Sequence, residues 1–162
     1  MQLFGKKNVE DPDAFWRTTA EKRGGAIGFI TYATLLGRTK DAILDRAGLL
    51  YTVGDAVWFE DFERDNWLAR MMNGKTAFVK TEITFSLSEV VFTRAVSRSN
   101  AMASIAGKKE PASLPVITAL GRFLSTPFIM VGLHDGTALF FDAIRRRELL
   151  ALFQGNAEHP SH

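Results

Sequence analysis

Residues 128–141, FIMVGLHDGTALFF, set two apolar runs on either side of a His-Asp-Gly turn. Asp135-Gly136 supplies the positive φ that a tight turn needs, so the runs are predicted to fold back on each other as a hairpin. Asp142 then caps a helix over 143–154, with Leu149, Leu152 and Phe153 as its apolar stripe and Gly155 as its stop. A hairpin and one amphipathic helix need further elements to pack on.

Residues 27–62 supply such elements. Their apolar residues come in short runs broken at Gly37, Gly48 and Gly54-Asp55, which is strand spacing. Strands are predicted at 27–36, 41–45, 48–53 and 56–62. The hairpin at Gly54-Asp55 sets Val57 and Phe59 on one face and Trp58 and Phe62 on the other, so both faces are covered. Leu49, Val53, Val57 and Phe59 are assigned to the core. Trp58 and Phe62 are placed under the N-terminal helix through Phe15 or Trp16, or at a partner surface.

Further along, 79–87 alternates cleanly, with Val79, Thr81, Ile83, Phe85 and Leu87 on one face. Residues 88–98 read as another strand, although Phe92 and Val96 share their face with Arg94 and Arg98. The segment 97–115, rich in Ser, Ala, Gly, Lys and Pro, reads as the longest loop and the best candidate for a mobile region. Residues 63–76 stay open, because Asn73-Gly74 suits a hairpin turn and equally the end of a short helix begun at Asn66. Near the start, Asp11-Pro12 opens a helix over 12–23 that Gly24-Gly25 closes. No internal repeat is visible.

The 162 residues, 46% of them hydrophobic, suffice for one well-buried domain. A net charge of +2 is too small for a general electrostatic attraction to nucleic acid. The absence of cysteine excludes disulfides, a thiolate nucleophile and Cys-based metal sites, and suits a reducing compartment. Lys6-Lys7 lead into NVEDPD rather than an apolar run, which argues against a secretory leader. The weakly polar run 24–37 stops at Arg38, well short of the ~20 residues of a membrane span. The reading is a cytoplasmic protein with no transmembrane segment.

The order of elements resembles the pleckstrin-homology-like superfold, especially bacterial PH and GRAM-type domains. The residues that carry the resemblance are GLLYTVGDAVWFEDF (48–62), TEITFSLSEVVFTR (81–94), and PFIMVGLHDGTALFF followed by RRRELLALF. The resemblance implies a mainly β (α+β) fold, a partly open barrel of about seven strands with a C-terminal capping helix. An extra N-terminal helix is added here. On this reading 1–26 is an N-terminal arm and helix, 27–155 the PH/GRAM-like domain, and 156–162 a disordered tail. The resemblance also implies binding rather than catalysis, with lipid headgroups or peptides as ligands and no cofactor.

Reactive groups are sparse. Gly74-Lys75-Thr76 has the tail of a phosphate-binding loop, but Ala69 stands where that loop needs glycine. Neither GxGxxG nor GxSxG occurs. His134 reads as a turn residue, and His159 and His162 lie in the tail, so no metal is implied. Glu60, Asp61 and Glu63 could act as paired carboxylates, but read better as a solvated strand end. Arg145-Arg146-Arg147 opposes the dipole of the last helix, offset by Asp142 and Glu148.

Two basic groups are the candidate ligand-binding residues. Arg38 and Lys40 flank the first turn, where PH-like domains commonly hold a basic pair against a lipid phosphate. Arg94, Arg98, Lys108 and Lys109 form a second group beside the long loop. The leading expectation is a non-enzymatic module that binds a protein partner or itself. The alternatives are peripheral membrane recruitment by anionic headgroups, and a ligand carrier or enzyme using the barrel interior.

Overall fold

The computed structural model describes residues 11–61 and 81–157. Its strands are β1 (Ile27–Arg38), β2 (Ile43–Val53), β3 (Ala56–Asp61), β4 (Glu82–Ser86), β5 (Val90–Val96), β6 (Phe128–Leu133) and β7 (Ala138–Ala143). They form one antiparallel sheet in the order β4-β3-β2-β1-β7-β6-β5, two meanders joined through β1 and β7. Phe85, at one edge, and Val90, at the other, share one core with Leu35, Phe59 and Phe141. The sheet therefore curls until both edges face the same interior, a mainly β half-barrel of seven strands, as expected of the fold class. The helices are α1 (Pro12–Arg23), α2 (Arg98–Ile105), α3 (Ala119–Leu124) and α4 (Arg146–Ala157).

Helix α4 covers the inside of the curl. Its Leu149 and Phe153 are fully buried, and Phe153 lies 6.0 Å from the Phe85 ring. It begins at Arg146 rather than 143, because Asp142 and Ala143 still pair with Thr34 and Ala33 of β1. Asp142 accepts from the Arg146 side chain instead of capping backbone amides.

The hairpin β2–β3 corrects two expectations. Residues 41–45 and 48–53 are not separate strands: β2 runs unbroken through Gly48, where a Cβ would overlap the Glu60 carbonyl of β3. Gly48 marks a close approach, not a turn. The two-residue turn pairs Val53 with Ala56, Thr52 with Val57 and Leu50 with Phe59. Paired residues share a face, so Leu50 and Thr52 join Val57 and Phe59 inside. Leu49 and Val53 lie on the outer face, half-buried.

The outer face is covered by two separate helices. At one side α1 lies over β2 and β3, with Trp16 edge-on to Tyr51 at 5.6 Å and Arg23 over Trp58. At the other, α2 buries Ala101, Ser104 and Ile105 near Leu36, Val96 and Phe140. The segment 97–115 is thus not a long loop. Ser97 caps α2 by accepting from the Asn100 amide, and Gly107, at φ 74°, follows its end. A bulge between Val90 and Phe92 turns Val90 inward and leaves Phe92, Arg94 and Val96 together on the outer face.

The segment 63–76, with the Gly74-Lys75-Thr76 motif, lies outside the described residues. So do Phe62, Val79, His159 and His162.

Candidate functional site

The six basic candidates do not converge. Arg38, at the end of β1, donates to Asp135 at 3.0 Å and to the Thr137 hydroxyl at 3.2 Å. The Thr137 hydroxyl and amide, with Arg38 beside them, hold the Asp135 carboxyl below its ordinary range. Lys40 occupies a left-handed turn position, φ 61°, 3.8 Å from Glu110. Lys109 donates to Asn100, and Lys108 is exposed on the same rim. Arg94 reaches the carbonyls of Ala112 and Leu114 at 2.7 and 2.9 Å, and Arg98 lies 5.6 Å over Phe128. Arg38, Lys40 and the segment 108–110 share one rim; Arg94 and Arg98 stand apart, Arg94 holding the segment 112–114 and Arg98 lying over Phe128 of β6.

Arg145-Arg146-Arg147 is similarly engaged. Arg145 precedes α4, donates to the Ile30 carbonyl at 2.9 Å, pairs with Glu148 and lies 4.5 Å over Phe29. Arg146 pairs with Asp142 at 2.7 Å, and Arg147 is exposed. The predicted offset by Asp142 and Glu148 is therefore present.

Glu60 belongs to a buried network rather than to a solvated strand end. The Arg23 side chain, 7% exposed, bonds Tyr51 at 3.1 Å, Glu82 at 2.9 Å and Glu60, while the Tyr51 hydroxyl donates to Glu60 at 2.8 Å. Burial would pull the Arg23 pKa down, but its hydrogen bonds to Glu82, Tyr51 and Glu60 outweigh that and raise it. Burial, and then the bond to Glu60, push the Tyr51 phenol up to about 12 against an opposing pull from Arg23. The network anchors α1. Asp61 is buried, with one oxygen accepting from the Thr81 amide at 3.1 Å. Among the described residues no cluster of His, Asp and Glu is arranged to hold a metal. Nor is any helix there long and apolar enough to cross a membrane.

Beside the end of β7 the outer face carries two depressions, which share Tyr32 and Ile144; one of them reaches α1 at Trp16. One, of about 240 Å³, is mainly apolar and is lined by Trp16, Ile30, Tyr32, Leu49 and Ile144, with Thr31 and Arg145 as its polar members. Its neighbour, of about 330 Å³, is more polar, lined by Thr34, Ala47, Gly48, Asp142 and Arg146. The inside of the curl is filled by Phe59, Phe85, Phe141 and Phe153.

A feature unforeseen in the sequence is a knob on the segment before β6. Helix α3 buries none of its residues, and Leu120, Phe123 and Leu124 are 68%, 85% and 71% exposed. Their i, i+3, i+4 spacing places them on one face, turned away from the body. Thr118 caps the helix through the Gly121 amide. The spacing was a possible signal, hidden because apolar residues at that spacing ordinarily face a core.

No family model and no curated protein matches the chain. Among solved structures it is similar to the C-terminal domain of an unknown protein from Leishmania infantum, at 9% identity and a TM-score of 0.50. That likeness covers 91% of this chain and 97% of the other, and bears on the fold alone.

Proposed function

We propose that this chain is a non-enzymatic interaction module of the PH/GRAM-like kind, which docks a partner through the α3 knob. The observation that carries the reading is the outward stripe of Leu120, Phe123 and Leu124 on a helix with no buried residue. Such a stripe contributes nothing to the core, whereas a partner that covers it gains about 25 cal/mol per Å² of apolar surface removed from water. The basic residues favour this surface over a headgroup site. Arg38 is paired with Asp135, Arg94 is turned onto the Ala112 and Leu114 carbonyls and Lys109 onto Asn100, so these side chains are not gathered around one anion position.

The test is photo-crosslinking in the protein's own cells, with a benzophenone amino acid in place of Phe123 and, as control, in place of exposed Lys22. Adducts of any class, protein, lipid or second copy, should form at 123 well above the control and fall when Leu120 and Leu124 become serine. Equal labelling at both positions would overturn the reading.

A further inference from the structure

The knob has a counterpart on the same molecule. The apolar depression formed by Trp16, Ile30, Leu49 and Ile144 is concave where the knob is convex. We infer that the occupant of this cleft is the knob of a second copy of the chain, with Phe123 of each protomer seated in the cleft of the other. The inference rests on the proposed role of the knob as the contact surface and adds its occupant.

Size and chemistry agree. An apolar cavity of about 150 Å³ is enough to hold a benzene ring, and this depression offers about 240 Å³. Trp16 at its wall gives the incoming ring an aromatic surface to pack on. The knob is exposed within its own chain, so it does not fill its own cleft. Charges do not oppose the contact. Residues 111–134 hold no carboxylate side chain and one arginine, Arg122, which lies roughly opposite the apolar stripe around the helix. Arg145, which lines the cleft, is engaged with the Ile30 carbonyl and Glu148.

Topology permits a reciprocal contact. Helix α3 leads into β6 at Phe128, and Ile129 stands opposite Phe141 near the end of β7. Ala143 pairs with Ala33, and the Ile144 amide bonds the Tyr32 carbonyl at 3.1 Å. Knob and cleft therefore lie toward the same end of the sheet. Two copies related by a two-fold axis can each give a knob and receive one, which closes the assembly at a dimer instead of extending it into a filament.

The experiment is sedimentation velocity on the full chain across its soluble concentration range, for wild type, Phe123→Ser, Ile144→Ser and an equimolar mixture of the two variants. Both side chains are largely exposed, at 85% and 78%, so neither change removes a core contact. Wild type should dimerise with rising concentration, and each variant alone should associate at least about tenfold more weakly. The mixture should recover up to about half of the loss on a logarithmic scale, because each mixed dimer has one contact in which an intact Phe123 meets an intact Ile144 cleft and one in which both are changed. A wild type monomeric throughout, or variants that weaken association with no recovery on mixing, would overturn the inference. Crosslinks from position 123 to another protein or to lipid, with a monomeric wild type, would remove the second copy and leave the knob a contact surface. No specific crosslink at all would remove both.

Discussion

Arg23 lies over the indole of Trp58, its guanidinium carbon 3.6 Å from the ring centroid. The same guanidinium bonds Glu60 of β3 and Glu82 of β4, so the last residue of α1 ties that helix to two strands. The rest of α1 offers little: Thr19 is its one buried residue, with Trp16 against Tyr51. Arg23→Ala should therefore lower stability by about 3 kcal/mol, within the range for removing one partner of a buried ion pair. Arg23→Lys should recover less than half, because an ammonium keeps the charge but loses the planar fork and the stacking. Urea denaturation of both variants measures this. Equal stability of the lysine variant and wild type would show that charge alone docks α1.

Tyr51 makes the same network sensitive to alkali. An unfolded tyrosine ionises near pH 10, whereas burial and the bond to Glu60 push Tyr51 to about 12. Between these values the unfolded chain has released a proton that the fold still holds, so rising pH favours unfolding. The contribution is complete below pH 10 and is lost as the pH climbs to about 12. Tyr51→Phe should be less stable than wild type at pH 9, and the difference should shrink toward pH 12. A constant difference across that window would mean that Tyr51 titrates normally.

Two glycines predict opposite signs for one substitution. At Gly48 a Cβ would overlap the Glu60 carbonyl, with the Asp61 Cα 2.8 Å away, and both are backbone atoms that cannot turn aside. Gly48→Ala should force β2 and β3 apart and destabilise by at least ~2 kcal/mol. Gly155, expected to stop the last helix, lies instead within α4, which runs to Ala157, with nothing within 4 Å of its added Cβ. Gly155→Ala should stabilise by about 0.5–1 kcal/mol, the helix preference for alanine over glycine. Thermal melts of the pair decide it, and a stabilising Gly48→Ala would contradict the close approach.

Much of this architecture was legible in the sequence because local chemistry and tertiary packing agree. The Asp11 cap, the turns at Gly54-Asp55 and Asp135-Gly136, and the Phe85 and Leu87 alternation all act within a few residues. The misreadings of Gly48 and of helix α2 arise where a residue's role is set by what packs on it from elsewhere in the fold. Gly48 resembles a turn glycine until β3 lies on it. Helix α2 carries small buried residues, Ala101 and Ser104, with no apolar stripe to betray it. The Leu49 and Val53 assignment was different: a two-residue turn already fixes their pairing with Glu60 and Ala56, which puts both opposite Val57 and Phe59. At the candidate site, the basic residues stood out in the sequence while their acceptors, Asp135, Glu110 and the Ala112 and Leu114 carbonyls, were distant or unmarked.

Arg94 shows what such a residue does instead. Its two bonds to the Ala112 and Leu114 carbonyls hold the chain against β5 just before the Ile117 amide bonds Ala95 at 2.7 Å, directly ahead of α3. The guanidinium thus fixes the base of the knob. Arg94→Met keeps the stem and removes both bonds, and hydrogen bonds from a charged donor contribute about 1.5–3 kcal/mol each when buried. Since Arg94 is only half-buried, a loss of about 1.5 kcal/mol is expected in total. Amide exchange should quicken at residues 112–118 and stay unchanged across β6 and β7. Lys108→Met, at an exposed position, should alter neither quantity. If Arg94→Met left both stability and exchange untouched, the arginine would not be a tether, and its place among the ligand-binding candidates would be restored.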